Sequence, residues 1–318
     1  MSLHIAVLAG GLSPERDVSL RSGRRVAEAL REAATGWEVV ELDVDANLLR
    51  SLHDHRPDAV IPLLHGAAGE DGALRDVLAS LGLPFVGSVA GSARIAFDKP
   101  IAKTVLAGAG LATPEALALP QSTFRELGAT EVLSAVRDHL GLPVIVKPTR
   151  GGSALGACIV RYQDEFPAAM VGAFAYAEVA LIERLVGGTE IAVCVLDDGH
   201  GPHALPAVEV VPPSGLYDYH ARYTAGTTEF FIPARVSDEV LRTCADMAVR
   251  AHEVLGLRDW SRTDLMVDDE GTAWFLEVNV APGMTETSLF PQSLAADGRS
   301  VGGAMRDLVQ LAVDRQGS

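Results

Sequence analysis

The chain has 318 residues, and 26 Lys and Arg against 42 Asp and Glu give it a formal charge of −16. A hydrophobic content of 48% excludes a disordered chain, and at roughly 100–200 residues per domain the length suits two or three domains. The acidic balance argues against a duplex-binding surface, which needs concentrated positive charge, yet leaves room for a nucleotide held by a few local Lys and Arg. Along the chain, Ile5–Leu8 reads as a strand ending in Gly10-Gly11, and Val18, Ser22, Val26 and Leu30 mark a helix by their four-residue spacing. Trp37–Leu42 and Ala59–Leu64 read as further strands, the second ending in a glycine-rich loop at 65–72. A helix over Ala73–Leu81 and a short strand at Pro84–Val86 follow. Strand, glycine loop and helix in repetition predict an α/β unit with a parallel sheet covered on both faces. Ligands of such sheets sit beyond the carboxyl ends of the strands, which places loops 10–17 and 65–72 at a site.

The pattern then changes. A helix over Asp98–Gly110 precedes two strands, Leu142–Lys147 and Ala157–Val160, which flank the glycine-rich stretch Arg150–Gly156. Strands follow at Val179–Glu183, Glu190–Leu196, Ala207–Val211, Glu229–Ile232, Asp264–Val267 and Ala273–Val280, with helices at Asp238–Leu255 and Gly302–Val313. This is an α+β block, and the changes of pattern set boundaries near 98 and 184, giving units 1–98, 99–184 and 185–318. The three cysteines, Cys158, Cys194 and Cys244, are odd in number and widely spaced, which predicts buried thiols in a reducing compartment. The N-terminus lacks the pattern of a signal peptide and no run of about 18 apolar residues occurs, so a cytoplasmic protein free of the membrane is expected.

Five stretches carry chemistry. Asp264 and Glu277 lie on strands joined by the turn Asp268–Gly271, and Asn279 shares a sheet face with Glu277 at period two. Two carboxylates and an amide oxygen on one face are hard ligands suited to Mg2+ bridging phosphates, with a solvated strand face as the alternative. Lys147 ends an apolar strand just before the glycine-rich loop, where a lysine suits a phosphate oxygen and the amides of Gly151–Ala154 form an anion nest; an ordinary hairpin also fits. Glu183 and Glu190 bracket a second glycine-bearing turn, placed for a nucleoside or merely solvated. Glu15, after Gly10-Gly11, is either a charge for an amine or an acidic residue at a helix start, and His65 at a strand end leaves the same choice.

In order, these segments resemble the D-alanine–D-alanine ligase family of the ATP-grasp superfamily over nearly the whole chain. The likeness rests on Gly10–Leu20, His65–Gly72, Asp98-Lys99, Val146–Pro148, Gly152–Gly156 and Ser214–Tyr223, and most specifically on Glu277–Leu289. It implies a three-domain ATP-grasp architecture and the joining of two D-alanines at the expense of ATP through an acylphosphate, for peptidoglycan synthesis. By the same likeness Asp264, Glu277 and Asn279 hold two Mg2+ (Mn2+ as a substitute), while Lys99, Lys147 and Arg222 serve ATP. Glu183 meets adenine and Glu190 the ribose. Arg262 and the amide of Gly283 stabilise the tetrahedral oxyanion. Glu15 pairs with the first ammonium beside His65, and Ser288 with the Leu289 amide receives the second carboxylate. Glu15, Ser153 and Tyr223 form a hydrogen-bonded triad tying the first domain to a loop over the site. A homodimer is expected from the family, and no nucleic-acid partner.

The chain departs from the family pattern at Ala154, where a second Ser is usual, at Arg222 for Lys, at Arg75-Asp76 for Gln-Gly, and at Gly151. These departures bear on the substrate rather than the reaction. Beside the main reading stand a related ligase acting on other amino acids in a specialised pathway and a non-catalytic ATP-binding paralogue.

Overall fold

The computed structural model describes residues 2–212 and 228–315. Near the N-terminus, β1 (His4–Ala9), β2 (Glu38–Asp43) and β3 (Ala59–Pro62) form a parallel sheet in the order β2-β1-β3. β1 is central and Ile5 to Leu8 are fully buried, which is why its sequence runs apolar without alternation. Around the sheet lie α1 (Arg16–Ala33), α2 (Leu48–His55), α3 (Ala67–Glu70) and α4 (Ala73–Ser80). The expected loop at 65–72 therefore contains a short helix, and the expected strand at Pro84–Val86 reduces to a single parallel bridge between Val60 and Phe85.

The middle of the chain builds an antiparallel sheet in the order β4-β7-β5-β6 from β4 (Ala116–Pro120), β5 (Val144–Pro148), β6 (Cys158–Val160) and β7 (Val179–Arg184). Two helices precede it, α5 (Ala90–Phe97) and α6 (Lys99–Gly108), while α7 (Gln121–Leu127), α8 (Ala129–Leu140) and α9 (Phe166–Phe174) lie within it. α8 and α9 cover this sheet through Leu133, Val136, Leu140, Phe166 and Met170. α5 and α6 instead send Ala93, Ala96, Ala102 and Leu106 into the core of the third sheet.

That third sheet is antiparallel, in the order β11-β10-β8-β12-β13, with β9 beside β8. Its strands are β8 (Thr189–Leu196), β9 (His203–Ala204), β10 (Val208–Val211), β11 (Glu229–Phe231), β12 (Trp260–Val267) and β13 (Ala273–Asn279). Three more helices, α10 (Asp238–Val254), α11 (Leu289–Ala296) and α12 (Val301–Asp314), complete the chain. Met305, Leu308 and Val309 of α12 pack with Ile5, Val26 and Leu30, so the C-terminal helix closes the core of the N-terminal sheet. This mixture of a parallel α/β sheet and antiparallel α+β sheets is the expected class.

One expectation about the cysteines needs correcting. Cys194 and Cys244 are buried, and burial pushes their thiols up to about 12 and about 11, but Cys158 is exposed. It begins β6, a three-residue edge strand whose inward side is taken by Val160. Among the described residues, no helix is long and apolar enough to cross a membrane.

Candidate active site

Two depressions adjoin, one at the carboxyl ends of β1 and β3 and one between the other two sheets. The smaller, about 50 Å³, is polar and is lined by Glu15, His65, Glu70, Ser153, Arg262, Asn279, Gly283, Ser288 and Leu289. Glu15 occupies the N-cap of α1, yet its side chain makes no capping bond. Its Oε1 accepts a hydrogen bond from the Ser153 hydroxyl instead, so the carboxylate is spent on the site and not on the helix. Ser153 and Ala154 both hold left-handed backbone, at φ +56° and +52°, a strained conformation for residues with a Cβ and one that recurs at ligand loops. Gly66 has φ +68°, and a Cβ there would lie 2.6 Å from Glu15 Oε2, so only glycine lets the carboxylate sit against the 65–70 turn.

His65 is buried, which pushes its imidazole below the ordinary range and keeps it neutral despite Glu15 nearby. Its Nδ1 lies 3.0 Å from the Ala281 carbonyl, which can only accept, so Nδ1 carries the proton. Nε2 then accepts from Ser22 Oγ at 3.3 Å, and that hydroxyl accepts the Met284 amide at 3.1 Å. Arg25 adds bonds to the carbonyls of Met284 and Thr285. α1 thus holds the 281–285 loop in place. Sequence reasoning missed Ser22 in this role, although a hydroxyl on the apolar stripe of α1 was its visible signal.

The same loop presents Gly283 beside Ser288. A Cβ on Gly283 would lie 2.6 Å from Ser288 Oγ, so the bare backbone is what brings amide and hydroxyl together. Ser288 stands at the N-cap of α11 but makes no capping bond; its Oγ accepts the Thr285 amide at 3.0 Å. Ser288 and Leu289 line the pocket, so the N-terminus of α11 and the positive end of its dipole lie beside it, which favours an anion.

Glu70 lies in the His65–Gly72 stretch, but the sequence reading gave it no role of its own. Burial, reinforced by Glu15, pushes its carboxyl up to about 8, while Oε1 accepts the Gly66 amide at 2.9 Å. A carboxyl raised in the fold binds its proton more tightly folded than unfolded, so it contributes stability in acid that is lost as pH climbs from the ordinary carboxylate range towards 8. Glu70→Gln removes this titration. Its melting temperature, relative to the parent's, should rise between about pH 5 and about pH 8. A gap that stays constant across that range would contradict the buried carboxyl.

The larger depression, about 250 Å³, opens between the central and C-terminal sheets. Ile145, Leu185, Val186, Met266 and Leu276 make apolar walls, and Lys99, Lys147, Glu183 and Glu190 supply charge. Glu183 is 1% exposed and ion-paired on both oxygens: Lys147 Nζ lies 3.0 Å from Oε1 and Lys103 Nζ 2.5 Å from Oε2. Burial pushes Lys103 down to about 8 against the pull of Glu183. Burial also opposes the charge on Lys147, but Glu183 and Glu277 outweigh it and hold the ammonium above its usual range. Lys99 Nζ donates to the Gly151 carbonyl at 2.8 Å and pairs with Glu277 Oε2 at 3.1 Å. Lys103 escaped the sequence reading, although it lies four residues after Lys99 on one face of α6.

Between the two depressions runs the face of β12 and β13. Arg262 pairs in register with Asn279, and Asp264 with Glu277, as the hairpin reading requires. A bulge follows at Asp264/Leu265, and it lets consecutive residues Leu276 and Glu277 both line the cleft. Arg262 forks onto Asp264, Nε to Oδ1 at 2.7 Å and Nη2 to Oδ2 at 2.8 Å. Burial disfavours the guanidinium charge, yet Asp264 outweighs it and holds Arg262 above its ordinary range. Asn279 Oδ1 accepts the Ala281 amide at 2.9 Å. Among the described residues no group of three or more His, Cys, Asp or Glu gathers. The face offers two carboxylates and an amide oxygen, a hard-oxygen set that fits Mg2+ in kind. The Arg262 fork uses only part of the roughly four acceptor positions on Asp264.

Arg222 and Tyr223 lie outside the described residues. Of the departures, Gly151 and Ala154 line the larger cleft, whereas Arg75 and Asp76 line neither depression. The expectation that the departures bear on the substrate therefore does not extend to Arg75 and Asp76. Arg75 is buried, which pushes it down to about 10, and it donates to the Gly69 carbonyl. Asp76 pairs with Arg94 on the surface.

Comparison with known proteins gives one answer. A family model described as the D-ala D-ala ligase C-terminus matches residues 105–310. A D-alanine–D-alanine ligase of Desulforudis audaxviator is 41% identical over 318 residues, covering 99% of this chain and 100% of that relative. A D-alanine–D-alanine ligase of Bacillus anthracis, solved in complex with ATP, superposes with a TM-score of 0.82 at 27% identity, over 99% of both chains. The VanG D-Ala:D-Ser ligase of Enterococcus faecalis reaches 0.83 at 26% identity, over 98% of this chain and 100% of that one.

Proposed function

We propose the course of the reaction from one premise: the chain belongs to the D-alanine–D-alanine ligase family and is a ligase that makes D-alanyl-D-alanine for peptidoglycan. The observation that carries this reading into the site is the Glu15–Ser153 pair and Arg262 in one pocket, directly beside a lysine-lined cleft.

ATP lies in the larger cleft, its base between the apolar walls with its amino group towards Glu183, its ribose towards Glu190 and its phosphates towards Lys99 and Lys147. Arg222 would add charge to the phosphates. Asp264, Glu277 and Asn279 would hold two Mg2+, which supply charge neutralisation for the triphosphate. In the smaller pocket Glu15 orients the first D-alanine through its ammonium, with the neutral His65 beside it. A carboxylate oxygen of that D-alanine bonds to the γ-phosphorus as the bond to the ADP oxygen breaks, giving an acylphosphate and ADP. Phosphoryl transfer of this kind depends mainly on positioning and charge.

The second D-alanine sits with its carboxylate at Ser288 and the amide of Leu289. Its ammonium yields a proton to solvent, the amine attacks the acyl carbon, and the departing phosphate takes the second proton from nitrogen. Arg262 and the Gly283 amide stabilise the oxyanion, and the intermediate collapses by expelling phosphate. Ser153 ties the loop 151–156 to Glu15, and Tyr223 would complete that triad, keeping water from the acylphosphate. We place the enzyme in the cytoplasm, as a homodimer.

Purified protein with Mg-ATP should release phosphate on addition of D-alanine and yield a product with the mass of D-alanyl-D-alanine. The likeness to a D-Ala:D-Ser ligase sets the second arm, in which D-serine competes as acceptor. Mixed dipeptide as the main product would replace the D-alanine acceptor. Nucleotide binding without turnover of any amino acid would overturn the reading.

A further inference from the structure

We propose that Lys103 is a positioning residue for nucleotide selection: from behind Glu183 it fixes the carboxylate that chooses a 6-aminopurine over a 6-oxopurine. The inference rests on the reading that Glu183 faces the base.

Lys103 is 5% exposed and does not line the cleft, so it cannot touch the nucleotide. It reaches Glu183 Oε2 at 2.5 Å, the oxygen opposite the one that Lys147 holds at 3.0 Å. Its ammonium is itself held, donating to Thr113 Oγ1 at 2.8 Å and to the Phe275 carbonyl at 3.1 Å. Two hydrogen bonds fix the Lys103 ammonium, and the ion pair carries that fixity to a Glu183 side chain 1% exposed.

The chemical consequence follows from donor and acceptor roles. A carboxylate with an ammonium on each oxygen is acceptor-only, so it takes a hydrogen from an exocyclic amine and repels a carbonyl in the same place. Lys147 lines the cleft beside the ligand, whereas Lys103 holds Glu183 from outside it. Without Lys103 the carboxylate is free to turn on its remaining bond to Lys147, and its acceptor oxygens no longer stand where only an exocyclic amine fits.

The test is steady-state phosphate release with saturating D-alanine and either ATP or ITP varied. Lys103→Met should raise KM for ATP about tenfold and cut the ATP-over-ITP preference in kcat/KM by about tenfold, with kcat for ATP within about twofold. Lys103→Arg, which keeps the charge, should retain the preference. Glu183→Gln should lower the preference by itself, and adding Lys103→Met to it should change the preference no further, because both act through one carboxylate. Should Lys103→Met fail to fold, Thr113→Val removes one anchor alone and should shift the preference in the same direction by a smaller factor. A preference unmoved in the folded Lys103 variant, or in Thr113→Val, or additive effects of Lys103→Met and Glu183→Gln, would overturn the proposal. If Glu183→Gln alone leaves the preference intact, the placement of the base at Glu183 fails first, and the proposal with it.

Discussion

Glu277→Gln lowers turnover by about 10²–10³-fold, while the melting temperature stays within about 2 °C of the parent's. The two halves of this expectation come from different facts. Glu277 lies opposite Asp264 in register and pairs with Lys99 at 3.1 Å, so it belongs to the charged seam between the two depressions. Its side chain is 25% exposed, and Lys99 keeps its bond to the Gly151 carbonyl, so the amide leaves no buried cation stranded. What the substitution removes is one anionic oxygen donor where the metal set needs charge. The loss should therefore appear in kcat, with a raised Mg2+ requirement, and not in folding. Phosphate release titrated with Mg2+, beside a thermal melt, measures both. Turnover within a few-fold of the parent would remove Glu277 from the metal set.

The parts of this molecule that a reader could find in the sequence are those governed by local pattern. The buried parallel strand Ile5–Leu8, the period-two face shared by Glu277 and Asn279, and the turn at Asp268–Gly271 each follow from short-range spacing. Local pattern also misled where tertiary contacts decide. Residues 67–70 fold into a helical turn because Glu70 reaches back to the Gly66 amide, and the glycines there had pointed to a loop. α5 carries a weak alanine face and reads as nothing definite, because its partner is a sheet assembled from the far half of the chain. The support of the site left only a faint local mark for the same reason. Ser22 and Lys103 act through groups distant in sequence, on the 281–285 loop and on Glu183, and spacing carries no trace of such pairs. The fork of Arg262 on Asp264 was likewise unread, although alternate residues of one strand share a face.

That fork makes Arg262 the sharpest point at which to separate architecture from chemistry. Arg262→Met should abolish measurable turnover and also destabilise the fold by about 3 kcal/mol, because it leaves Asp264, itself 6% exposed, as a buried carboxylate without its cation. Loss of activity in that variant alone is therefore ambiguous. Arg262→Lys resolves part of it. Lysine keeps a positive charge near Asp264 but replaces two parallel bonds with a point contact, so most of the stability should return. Turnover should remain about 10²-fold low, the scale of a misplaced oxyanion donor. The double variant Arg262→Met with Asp264→Asn resolves the rest. Removing both charges relieves the stranded carboxylate, so its melting temperature should recover most of the loss. Its turnover should stay at background, because neither the guanidinium at the pocket of Gly283 and Ser288 nor the carboxylate opposite Glu277 remains. Full activity in Arg262→Lys would make the residue a structural partner of Asp264 alone and would move the oxyanion contact to the loop amides.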